Sequence, residues 1–169
     1  MKIKFALLIL LAVIITSCGD SNDDGARVLS ETWELQSIEV NDFYDFNGDN
    51  DYTGNLTAEL GCTGFDNYFL YSNGTGEEHI TKSVAIYFDS QTSSVAGVCS
   101  DLSAPQVIDI NWSQNNNQRT FTYQNFSATG TVVGNTLTFV DIDFPLYTDA
   151  SLTAIEILIP ATFTYQLVE

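Results

Sequence analysis

The chain has 169 residues, with 22 Asp and Glu against 5 Lys and Arg, and a formal net charge of −17. A chain this acidic repels phosphate backbones and anionic headgroups, which argues against nucleic-acid binding and against electrostatic adhesion to a membrane; its field draws cations, Ca²⁺ among them. The length corresponds to one domain, and 44% hydrophobic residues are enough to bury a core.

Lys2 and Lys4 precede an apolar run from Phe5 to Ile15, which ends in Ile15-Thr16-Ser17-Cys18. A basic start, a short apolar middle and small residues read as a bacterial secretory signal. A membrane-spanning helix needs about 20 apolar residues, roughly twice this run. The small residues before Cys18 resemble the lipobox of bacterial lipoproteins. That resemblance implies cleavage after Ser17, diacylglycerol on the Cys18 sulfur and acylation of the new amino terminus. Acyl chains bind membranes by about 0.8 kcal/mol per buried CH₂, and two or more hold stably. The expected organisation is a signal peptide over 1–17, an acidic tether over 18–29 and a single domain over 30–169, anchored to the bacterial outer membrane on its periplasmic or outer face. Cleavage removes Lys2 and Lys4 and takes the net charge from −17 to −19. Asp20, Asp23 and Asp24 in the tether resemble the surface-export signal of Bacteroidota lipoproteins; an ordinary solvated linker reads the same way.

Beyond the tether, Thr, Tyr, Phe, Val and Ile dominate and alternate with polar residues, which predicts strands. The first is Thr32–Val40, with Trp33 and Leu35 on one face and a bulge near Gln36-Ser37, where Ile38 and Val40 change phase. Tyr68–Ser72 and Thr75–Ile80 flank Asn73-Gly74, a strong hairpin signal. Lys82–Ser90 and Val107–Ser113 come next, followed by a turn at Asn115-Asn116-Asn117. Arg119–Gln124 and Phe126–Val133 precede a turn at Gly134-Asn135. In Thr136–Phe144, Leu137 and Phe139 share one phase and Val140, Ile142 and Phe144 the other. Leu152–Ile159 and Ala161–Val168 make a last pair divided near Pro160. No stretch carries a capped helical period. Eight or nine strands in sequential hairpins predict an all-β fold with little helix, a single antiparallel up-and-down β-barrel of about eight strands.

With Cys18 assigned to lipid, Cys62 and Cys99 remain. An even pair in an exported chain predicts a disulfide over two buried thiols. The closed loop of about 38 residues would stabilise by roughly 4 kcal/mol. The chain has one histidine, His79, and no close Cys-Cys spacing, which argues against a zinc site.

Several motifs in order carry a family resemblance: Thr32-Trp33-Glu34-Leu35, Asp45-Phe46-Asn47-Gly48-Asp49, Cys62, Asp66-Asn67-Tyr68-Phe69, Ser72-Asn73-Gly74-Thr75-Gly76 and Gly134-Asn135-Thr136-Leu137-Thr138-Phe139. Together they resemble the lipocalin-like lipoproteins of Bacteroidota, of flavobacterial type, over most of residues 30–169. The resemblance implies a small lipid-anchored barrel and no particular ligand. The chain departs from the pattern at Glu31 or a neighbour, where a Gly two residues before the Trp is usual, and at Gly48-Asp49-Asn50, where a further Gly is frequent.

Three chemistries compete. In Asp45-Phe46-Asn47-Gly48-Asp49-Asn50-Asp51, oxygens of Asp45, Asn47, Asp49 and Asp51 stand at alternate positions, as in Ca²⁺ loops. The spacing is not that of an EF-hand, since Gly48 stands fourth and Leu56 twelfth; Glu59 supplies a late ligand if the loop bends. A solvated turn of the same composition is the other reading. A small apolar ligand inside the barrel is the second chemistry. Trp33, Trp112, Phe121, Tyr123, Phe139 and Phe163 are the inward candidates, either as plain core or as pocket walls. Hydrolysis by a carboxylate pair is the third, and nothing singles out a pair. No nucleophile elbow or phosphate loop is present, so a binding or structural module, and not an enzyme, is expected.

Overall fold

Alternation along the strands builds a closed wall. The computed structural model describes residues 27–168, so the predicted signal peptide, Cys18 and the first part of the tether lie outside them. Among the described residues the elements are β1 (Leu29–Tyr44), β2 (Thr53–Asn55), α1 (Leu56–Glu59), β3 (Asp66–Tyr71), β4 (Thr75–Asp89), β5 (Ser94–Asn115), β6 (Gln118–Thr122), β7 (Ser127–Val133), β8 (Thr136–Tyr147) and β9 (Ile155–Leu167). Neighbours in sequence pair antiparallel from β3 to β9, and β9 returns to β1 to close an eight-stranded barrel, with β2 as an extra strand on the far end of β1. No described helix is long and apolar enough to cross a membrane.

β1 serves three partners because it bends. Leu29–Glu34 pairs with β3, Trp33–Val40 with β9 and Glu39–Tyr44 with β2. The register against β9 slips between Leu35 and Ser37, at the predicted bulge, which lets Trp33, Leu35, Ile38 and Val40 all point inward. β8 does the same around Asp141 (φ 55°), so that Leu137, Phe139 and Phe144 are buried while Val140 is exposed. The predicted Asn73-Gly74 turn holds, with Gly74 at φ 83° and its N–H on Tyr71 O. Gly130 is bare where the Leu137 and Phe139 side chains press against it; a Cβ there would lie 2.7 Å from Leu137.

Three boundaries differ from those expected. Thr75–Ile80 and Lys82–Ser90 form one strand, β4, bent where the register against β5 jumps from Ile80↔Gln106 to Lys82↔Asp101. β5 begins at Ser94, well before Val107, and residues 102–105, Pro105 among them, have no partner in β4 at that jump. The last two predicted strands are a single β9 that runs through Pro160. There β9 has already left β1, whose last partner is Ala161, so one edge of the strand is open and tolerates a proline.

The end of the barrel that carries the β3–β4, β5–β6 and β7–β8 turns is filled by Trp33, Leu70, Phe121 and Leu137, all buried. It is capped by Arg119, which reaches both Glu31 oxygens from Nη2 (2.7 Å) and Nε (3.2 Å). Trp33 Nε1 donates to the same carboxylate at 2.8 Å, and the guanidinium lies 5.9 Å from the Trp112 ring. Burial alone would raise the Glu31 carboxyl. The hydrogen bonds from Arg119 and Trp33, with the Arg119 charge, outweigh it and hold the carboxyl below its usual range. At the opposite end Cys62, just after α1, is bonded to Cys99 in β5, as expected, with a sequence separation of 37 and a Cα–Cα distance of 6.0 Å.

Candidate functional site: a buried carboxyl pair in the barrel

The open part of the barrel follows from strand length. β6 and β7 span 5 and 7 residues, whereas their neighbours β5 and β8 span 22 and 12. Where β6 and β7 stop, the wall is low and the interior is reached beneath the connecting residues 123–126. Tyr123 and Phe126 frame that opening as a stacked pair, with ring centroids 4.2 Å apart and planes 10° apart. Inside is a cavity of about 230 Å³, walled mainly by Ile108, Ala128, Phe139, Ile142 and Phe163.

The floor of this apolar cavity is acidic. Asp66 and Tyr68 alternate inward on β3, and Glu78 faces Tyr68 across the β3–β4 ladder. Asp66 is 6% and Glu78 8% exposed. Tyr165 on β9 donates to Asp66 Oδ2 at 2.8 Å, and Tyr68 donates to Glu78 Oε1 at 2.9 Å; the Tyr68 and Tyr123 hydroxyls are 2.8 Å apart. Asp66 Oδ1 is buried and has no hydrogen-bond partner. Burial, and after it the charge of Glu78, push the Asp66 carboxyl up to about 8 against the Tyr165 hydrogen bond. Burial also raises Glu78, opposed by hydrogen bonds from Tyr68 and Tyr123. Burial likewise raises Tyr68, Tyr123 and Tyr165, so all three hydroxyls keep their protons. A second cavity of about 330 Å³, lined in part by Phe65, Lys82 and Phe144, reaches the same two carboxyls. The pair therefore sits where two cavities meet, and it carries a proton at neutral pH.

Comparison with protein-family models, with curated proteins and with solved structures finds no match.

The predicted inward aromatics divide between core and pocket. Trp33 and Phe121 are core, Trp112 packs beneath Arg119, and Tyr123, Phe139 and Phe163 border the cavity. His79 is half-buried on β4, where Nε2 is 2.9 Å from Glu77 and the ring lies 4.6 Å from that of Phe69. Asp66 and Glu78 were not among the expected site residues. A two-residue turn at Asn73-Gly74 would have set residue 68 opposite 79; the turn takes three residues, 72–74, which sets Tyr68 opposite Glu78 and brings the two acids onto one apolar face.

The acidic loop folds around its first residue. Asp45 Oδ1 accepts from Gly48 N (2.6 Å) and Asp49 N (3.0 Å), and Oδ2 accepts from Asn50 N (2.9 Å). Asp45, Asp49 and Glu59 bring one carboxylate oxygen each to within 4.8 Å of one another. Of the other two expected ligands, Asn47 turns its amide nitrogen to Asp49 and to Glu59 O, and Asp51 stands outside the group. Burial first, then Asp49, Asp51 and Asp45, raise the Glu59 carboxyl.

Proposed function

We propose that this chain is a lipid-anchored protein of the bacterial outer membrane, held through Cys18, whose barrel binds one small and largely apolar ligand. The observation that carries this reading is the cavity of about 230 Å³ beneath Tyr123 and Phe126, with apolar walls and a polar floor. That combination of many apolar contacts and a few convergent polar groups is how small-molecule sites are built, and the volume lies just below the usual range of drug-sized pockets. Native mass spectrometry of the protein taken from its own envelope tests the reading. The expected spectrum carries acyl mass on Cys18 and a small adduct that Ala128→Trp, which fills the cavity, removes. An unmodified Cys18 sulfur would overturn the anchor, and an adduct retained by Ala128→Trp would overturn the site.

A second reading, a structural envelope module without ligand that Ca²⁺ and the disulfide stabilise, has one observation in its favour. The oxygens of Asp45, Asp49 and Glu59 converge, and Glu59 Oε1 is buried without a partner. A cation bound only by the folded state raises the unfolding midpoint by mass action. Under this reading millimolar CaCl₂ raises the midpoint by several degrees, and Glu59→Gln abolishes the rise. Equal midpoints with Ca²⁺ and with chelator would remove it.

A further inference from the structure

An apolar ligand alone gives no reason for an acidic floor. Two carboxyls share the site, and no basic residue among the described ones pairs with either. Arg27 pairs with Glu77 and Arg119 with Glu31, and Lys82, which lines the second cavity, is within ion-pair distance of neither acid. The hydroxyl of Tyr165 is committed to Asp66 Oδ2 and that of Tyr68 to Glu78, which leaves Asp66 Oδ1 buried and without a donor. A buried polar atom without a partner is a cost that a ligand bonded to it removes, and Asp66 lines the cavity.

We propose that the ligand is a small apolar amine, whose ammonium group bonds to Asp66 Oδ1 and supplies the counter-charge of the Asp66–Glu78 pair while its apolar body lies against Phe139, Phe163 and Ile108. This rests on the reading of the cavity as a binding site. A carboxylate ligand would bring a third negative charge to the pair. A neutral alcohol could supply one donor but no charge. An ammonium supplies both, and the acidic protein draws cations toward the opening. The unliganded pair holds a proton at neutral pH, so docking of the ammonium displaces one proton from the carboxyls to solvent. The titratable groups facing the pair are Tyr68, Tyr123, Tyr165 and Lys82; the tyrosines stay neutral throughout.

Isothermal titration of the full acylated protein in nanodiscs with 2-phenylethylamine, 2-phenylethanol and phenylacetate, at neutral pH in two buffers of different ionisation enthalpy, decides the matter. The amine is expected to bind about tenfold or more tightly than the alcohol, the advantage of a charge-assisted hydrogen bond. The amine alone should release a proton on binding, and phenylacetate should bind weakest. Asp66→Asn should lower the amine to the affinity of the alcohol and leave the alcohol unchanged. Should that variant lose the alcohol as well, Glu78→Gln and the wild-type comparison carry the test. Equal affinities for amine and alcohol would overturn the amine and leave the cavity standing. Tighter binding of phenylacetate would overturn it too. Failure of all three probes would remove both the amine and the cavity.

Discussion

The unfolding free energy of this protein falls as the pH rises from about 5 to about 8, and Asp66→Asn removes most of that fall. Asp66 releases its proton near 3.8 in an unfolded chain and near 8 inside the barrel. Between those values the folded state binds more protons than the unfolded one. The contribution is therefore complete below the unfolded value and is lost as the pH climbs through the folded one, at a slope of up to about 1.4 kcal/mol per pH unit. Glu78 is raised in the same sense and adds to the slope. Glu31 and Glu77 act oppositely: their folded carboxyls are lowered, so their contribution is present above the unfolded value and is lost in acid. The two tendencies put the maximum of stability at about pH 5, just above the ordinary carboxyl range. Urea unfolding followed by the fluorescence of Trp33 and Trp112 measures this directly. Asp66→Asn should match the wild type at about pH 5 and exceed it by about 2 kcal/mol or more at about pH 8, because an amide of the same size needs no proton to stay buried. Parallel pH profiles for wild type and variant would show that Asp66 does not hold its proton in the folded protein.

The same residues show what could be read from the chain and what could not. Strand faces were legible wherever apolar residues alternate, as at Ile108, Ile110 and Trp112, and even the phase changes at Gln36 and Val140 announced the bulges that the barrel uses to turn its walls. The stretch from Ser94 to Gln106 was not legible. It is mostly exposed and rich in small residues, its few inward positions include Gly97 and Cys99, which are not apolar signals, and it is held as a strand by its partner β4 and by the Cys62–Cys99 bond. Pro160 misled for a related reason. A proline ends a central strand, but this one lies where β9 has a partner on only one side. The acidic loop drew attention because its carboxylates are adjacent in sequence. Asp66 and Glu78 did not, because they come together only across a hairpin and look, one strand at a time, like ordinary solvent-facing acids.

Arg119→Met should destabilise the closed end of the barrel by about 3–5 kcal/mol. The guanidinium side chain is 9% exposed and the Glu31 carboxylate 18%, so removing the cation leaves a negative charge with little water to replace it. Trp33 Nε1 would remain the donor to that carboxylate, and one neutral hydrogen bond does not replace a two-pronged ionic contact. An acid at residue 31 of β1 is tolerable because a base at residue 119 of β6 reaches it across the barrel end. The double variant Glu31→Met with Arg119→Met makes the argument testable, because an apolar pair of similar volume needs no ionic partner. Its stability should return to within about 1–2 kcal/mol of the wild type and so exceed that of Arg119→Met alone. If the two substitutions instead added, the cap would be holding the barrel through packing of the arginine stem on Trp112, and the charge pair would contribute nothing of its own.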